Sequence, residues 1–272
     1  MALRSVSLDE LAIDDERSVA HVALYGRLKQ ALLRSGHRFC IPQASTQLGW
    51  DRALFLNLTY WSGEASADVL CDRNIQADVV AHVAWHHLVG RYLGRRAAAV
   101  TEAGSPVPPS AAALFFAESI ASAFDLYLVG RLIPNAPDSG FITTQVPLMA
   151  ERAQEAGLSA AAFAALLEDV TAEPERAFED MRALLLDTAG ALLVCRGPEE
   201  AEAALERFEG HRFEPLLHHF ELSNWILYAR AYAPLPSRPD PVVQPLDALL
   251  RSAPVALDWL ADNCIDVAGQ VP

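Results

Sequence analysis

The sequence predicts a mainly α fold with a small N-terminal β-sheet, an α+β arrangement. Three observations lead there. Apolar residues recur at helical spacing through most of the chain from Ser18 onward. Only between His37 and Trp61 do aromatic and apolar residues crowd together as they do in strands. Capping serines and first-turn prolines, among them Ser110, Ser159, Pro174 and Pro198, stand at the heads of the later periodic runs.

With 272 residues, 52% of them apolar, the chain can bury a substantial core and is not disordered as a whole. A turn-rich connection from Asn135 to Gln145 marks a boundary between an N-terminal α+β region, 1–140, and a C-terminal helical region, 141–272. The formal net charge of −14, from 35 acidic and 21 basic side chains, argues against nucleic acid and anionic membrane as partners. Peptide, small-molecule or protein partners stay open. Cys40, Cys71, Cys195 and Cys264 form no Cys-x-x-Cys pair, so a zinc ribbon or thioredoxin-like motif is not expected. Met1 to Arg17 carries charges every few residues and has no apolar core of a signal peptide; a cytoplasmic protein with reduced thiols is the expectation.

Taken in order, Ser18 to Ser35 reads as an amphipathic helix, with Val19, Val22, Leu24, Leu28, Leu32 and Leu33 as its apolar positions. His37–Pro42 and Ala53–Trp61 read as strands, followed by a turn at Ser62-Gly63-Glu64. Asn74 is placed to cap a helix that ends near Arg95 and Arg96, where positive charge suits the dipole. Thr101 to Pro109 is a loop by composition, after which Ser110 opens a nearly all-apolar helix that Pro134 stops. Further helices are expected over Pro147–Ala156, Ser159–Val170, Pro174–Cys195, Pro198–Glu209, Phe213–Tyr232 and Leu246–Asn263, with a proline-rich loop from Pro234 to Pro245.

The chemistry centres on Asp78, His82 and His86, which recur every four residues and share one helix face. Two imidazoles one turn apart can each give a nitrogen to a single ion. His87 falls about 100° away and reads as a bystander. Asp78 either orients His82 or, as a first-turn acid, complements the helix dipole. On the next helix Glu118, Ser122 and Asp125 make one stripe in otherwise apolar surroundings. A carboxylate there needs a partner. For Asp125 an arginine such as Arg91 or Arg131 is the expected one; for Glu118 an arginine, a histidine or a metal ion would serve.

A third locus, His218 to Trp225, places His218, Glu221, Trp225 and Tyr228 on one stripe and His219, Leu222 and Ile226 on another. If the first faces inward, His218 or Tyr228 could complete a pocket as proton donor or oxyanion partner; otherwise these are interface and surface groups of an amphipathic helix. No glycine-rich phosphate loop, nucleophile elbow or cysteine-nucleophile signature is present.

The order His82-x-x-x-His86, a loop, then Glu118 on the following helix resembles the gluzincin branch of the zincin metallopeptidases, whose signature is His-Glu-x-x-His with a distal glutamate. The resemblance covers roughly residues 54–132 and implies a zincin-like helical core, zinc as cofactor, and His82, His86 and Glu118 as its ligands, with Asp125 at most behind them. The family's general base follows the first histidine, and here that position is Val83, which cannot take a proton from a metal-bound water. The resemblance therefore implies a hydrolase relative or pseudopeptidase. Iron(II) is the alternative ion, since two histidines and a carboxylate also suit non-haem iron. A non-catalytic helical binding or accessory protein is the alternative function.

Overall fold

A computed structural model describes residues 3–42, 58–62, 65–70, 72–101, 109–233 and 240–266. The fold is mainly α with a small N-terminal sheet. In chain order the N-terminal part comprises β1 (Leu3–Ser7), β2 (Ala12–Asp14), α1 (Glu16–Val19), α2 (Ala23–Arg34), β3 (Arg38–Pro42), β4 (Leu58–Ser62), β5 (Ala65–Val69) and β6 (Asn74–Gln76). Then come α3 (Ala77–Thr101), α4 (Ala111–Leu132), α5 (Gly140–Glu155), α6 (Ala160–Ala172), α7 (Pro174–Leu193) and α8 (Pro198–Glu206). A 3₁₀ segment, Glu214–Phe220, leads into α9 (Leu222–Tyr232), followed by α10 (Val243–Ser252), α11 (Ala256–Leu260) and a π-helical turn, Ala261–Asp266.

Four strands form a mixed sheet in the order β1-β3-β5-β4: β1 and β4 run antiparallel to their neighbours, and β3 and β5 are parallel. The short strands β2 and β6 pair in parallel, Ile13 opposite Ile75, and deliver the chain directly into α3. Asn74 therefore sits in a strand rather than capping the helix. The expected strand over Ala53–Trp61 is represented by β4; residues 53–57 lie outside the described residues, as do 102–108 of the expected loop and 234–239 of the proline-rich one.

Helix α4 is the axis of the molecule. It is apolar nearly all round, and its neighbours α3, α6, α7 and α9 leave seventeen of its residues buried. By length and composition alone it could cross a membrane, yet here it is the central helix of a bundle. The Ser110 side chain accepts from Ala113 N at its start, and the helix stops at Leu132, two residues before Pro134. At Gly130 the α4 backbone comes so close to α6 that an added Cβ would lie 2.6 Å from the Val170 carbonyl oxygen. Buried apolar residues from Val6 to Ile265 join in one cluster around this axis.

Several expected boundaries differ. The helix over Ser18–Ser35 is two pieces, with Val22 in extended backbone ahead of α2. The turn-rich Asn135–Gln145 holds the start of α5, capped by Ser139, and Pro147 sits inside that helix. Pro147 and Thr143 are both exposed, so water can take up the carbonyl that proline leaves without a donor. The C-terminal helix is broken at Ala253, which is extended because Pro254 follows it.

Candidate metal centre

His82 and His86 lie on α3, and Glu118 and Asp125 lie on α4, where the two helices pack side by side. The i, i+4 spacing stacks the two imidazoles on the face toward α4, with ring centroids 4.9 Å apart and Nε2 atoms 3.2 Å apart. Glu118 reaches both: its Oε2 is 2.9 Å from His86 Nε2, and its Oε1 is 3.6 Å from His82 Nε2. One donor atom from each of the three residues lies within 4.8 Å of the others, so His82, His86 and Glu118 make a group that could hold a metal ion. Among the described residues no other such group occurs.

Spacing of this kind matches what a small ion requires. Two ligands on a tetrahedral zinc at about 2.0–2.1 Å are about 3.3 Å apart. The three measured separations, 3.2, 2.9 and 3.6 Å, straddle that value.

Asp125 stands behind the group. His82 Nδ1–H donates to Asp125 Oδ2 over 3.0 Å, which leaves Nε2 as the nitrogen turned toward His86 and Glu118. The expected arginine partners are not used: Arg131 pairs with Glu175 and lies over the Tyr127 ring. Burial pulls the His82 imidazole down, but the carboxylates of Asp125 and Glu118 more than offset it and hold the ring well above its ordinary value. Burial raises the Glu118 carboxyl, and the imidazoles of His86 and His82 outweigh it, so this acid is held far below the usual carboxylate range. The cluster keeps negative charge on Glu118 and positive charge beside it. A proton on His82 occupies the electrostatic place that a cation would take.

Asp78 is one turn earlier on α3. Burial and the nearby Asp125 charge push it up to about 6, against which its own backbone N–H and that of Val79 act. Those amide contacts make it a first-turn acid. The His82 contact goes to Asp125 instead.

His87 points away from the cluster toward the sheet, where its ring lies 4.8 Å from that of His37; His37 in turn is 2.7 Å from Asp68. Burial and the charges of His37 and Arg91 lower His87 to about 4. Val83, one position after His82, is 6% exposed and belongs to the hydrophobic core.

The third locus divides. Glu221 adopts a left-handed conformation, φ 48°, which ends the 3₁₀ segment and redirects the chain into α9. Its carbonyl and carboxylate oxygens accept from Asn224 N and Nδ2 at 2.8 and 2.6 Å, supporting the turn. The single helix expected over Phe213–Tyr232 is therefore two elements, and the stripe drawn through His218 and Tyr228 does not exist. His218 is exposed and away from the cluster. Tyr228 does face it, across a cavity of about 230 Å³ walled by Leu114 and Phe115 of α4 and by Asn224, Trp225 and Tyr228 of α9, with His82, His86 and Glu118 at its base. Leu114 and Phe115 carried no signal in the sequence, because only the packing of α9 onto α4 brings them beside the third locus.

No family model matches the chain, and neither a curated protein nor a solved structure does.

Proposed function

We propose that the protein binds one divalent metal ion through His82 Nε2, His86 Nε2 and a Glu118 carboxylate oxygen, and that the ion is zinc. The observation behind this reading is the convergence of three donor atoms within 4.8 Å at the base of a cavity. Two nitrogens and one oxygen, with a fourth position open toward the cavity, are the donor set of zinc sites that keep a water or a ligand. Asp125 orients His82 as an outer carboxylate commonly orients a ligating histidine.

The zincin resemblance assigns the same three residues, in the same order along the chain, as ligands. The proposal stops at a zincin-like metal-binding protein, related to metal-dependent hydrolases, without the peptidase mechanism. With Val83 in the core, the position that follows His82 in the chain supplies no carboxylate to deprotonate a bound water. Iron(II) is the competing ion for the same three residues.

Elemental analysis of the purified full-length chain, followed by calorimetric titration of chelator-treated protein with zinc and with iron(II), tests this. One equivalent of zinc, lost in His82→Ala, is the expected result. A wild-type protein that takes up neither ion would overturn the reading.

A further inference from the structure

We infer that the cavity lined by the metal centre takes a small ligand that is neutral or singly anionic, carrying an oxygen-donor head for the ion and one aromatic or branched apolar group. The inference rests on the metal reading and adds the class of ligand.

Size comes first. A cavity of about 150 Å³ lined by Leu, Ile and Phe holds a benzene molecule. The space here, about 230 Å³, fits a ring of that size with a short polar head. Wall chemistry comes second. Leu114 and Phe115 on one side and the ring of Trp225 on the other present hydrocarbon and aromatic faces. Asn224 is the amide among them, its Nδ2–H donating to Glu221 Oε2.

Charge comes third. A dication beside the Glu118 and Asp125 carboxylates, with neutral imidazoles, has no net charge. Among the described residues no lysine or arginine lines the cavity. Nothing there compensates a doubly charged phosphate or a second carboxylate, so dianions are disfavoured.

The test uses the zinc-loaded full chain and three probes: acetohydroxamate, benzohydroxamate and phenyl phosphate, with dissociation constants from calorimetry. The first two share a metal-binding head and differ by the ring. Benzohydroxamate is expected to bind about tenfold tighter than acetohydroxamate, and phenyl phosphate more weakly than either. Trp225→Ala should lower benzohydroxamate affinity about tenfold and so remove its preference over acetohydroxamate, and Trp225→Phe should keep that preference. Equal affinities for the two hydroxamates, tight binding of phenyl phosphate, or a preference that survives in Trp225→Ala would overturn the inference. A wild-type chain that binds no metal overturns the metal reading, and this inference falls with it; a chain that binds zinc but shows no ring preference overturns this inference alone.

Discussion

His82 Nδ1 lies 3.0 Å from Asp125 Oδ2, an imidazole–carboxylate pair that spans the α3–α4 interface. The carboxylate fixes which ring nitrogen bears the proton and therefore which one faces Glu118 and His86. Removing its charge while keeping its shape should loosen that choice. Asp125→Asn is expected to weaken zinc binding by about 10–100-fold, read by competition against a chelator of known affinity. An unchanged affinity would mean that Asp125 is only a charge neighbour.

Loss of a ligand should be more severe than loss of its support. In Glu118→Gln the two imidazoles keep their positions but lose the anion that both contact. One equivalent of zinc should fall to none in His82→Ala and in Glu118→Gln. The thermal stabilisation by zinc should vanish with it; at a hundredfold excess over Kd this is worth about 2.7 kcal/mol for a one-site protein. Differential scanning calorimetry with and without zinc checks both variants.

Asp78 makes a pH prediction with a definite sign. Its carboxyl is held up to about 6 from an ordinary 3.8, so between those values the folded chelator-treated chain holds a proton that the unfolded chain has released. Stability therefore falls as pH rises through that window and stays lower above it. Asp78→Asn keeps an oxygen for the helix amides and removes the charge. Urea unfolding should find the variant more stable than the wild type by about 1–2 kcal/mol at pH 7.5 and equal to it near pH 4. A constant difference at all pH values would rule the linkage out.

Restoring a glutamate after the first histidine should not restore a peptidase. Val83 is 6% exposed among core residues, so its side chain does not reach the cavity. Val83→Glu buries an unpaired carboxyl and should cost on the order of 3 kcal/mol, with no gain in peptide hydrolysis. Fluorescence-monitored denaturation and a casein digest measure the two halves of this expectation.

At Gly130 the α4 backbone packs directly against the end of α6. A Cβ there would meet Val170 O at 2.6 Å and Pro174 Cβ at 3.0 Å, both on a rigid helix junction. Gly130→Ala should destabilise by about 1–3 kcal/mol by forcing the helices apart, although alanine is the better helix former. A stabilised variant in thermal unfolding would show that the junction yields.

Some of this was legible in residue order. The i, i+4 spacing of His82 and His86 and the lone acids in an apolar helix depend only on helical periodicity, which is local. The caps at Ser110 and Ser159 are local in the same way, whereas the one at Ser139 was hidden in a stretch whose composition reads as a turn. Strands β1, β2 and β6 escaped notice because each has three to five residues of mixed polarity, and their pairings join residues as far apart as Asp14 and Gln76. The break at Glu221 escaped for another reason: a non-glycine residue in left-handed backbone leaves no mark in composition.

The chain by itself determined which face of α3 carries the imidazoles and that α4 must be buried, since periodicity and hydrophobicity follow from neighbours in the chain. Which partner Asp125 takes, where His218 ends up and what walls the cavity were decided only when α4 packed against α3 and α9. A side chain's choice among several possible partners is a matter of distance in space, and the 43 residues between His82 and Asp125 say nothing about 3.0 Å.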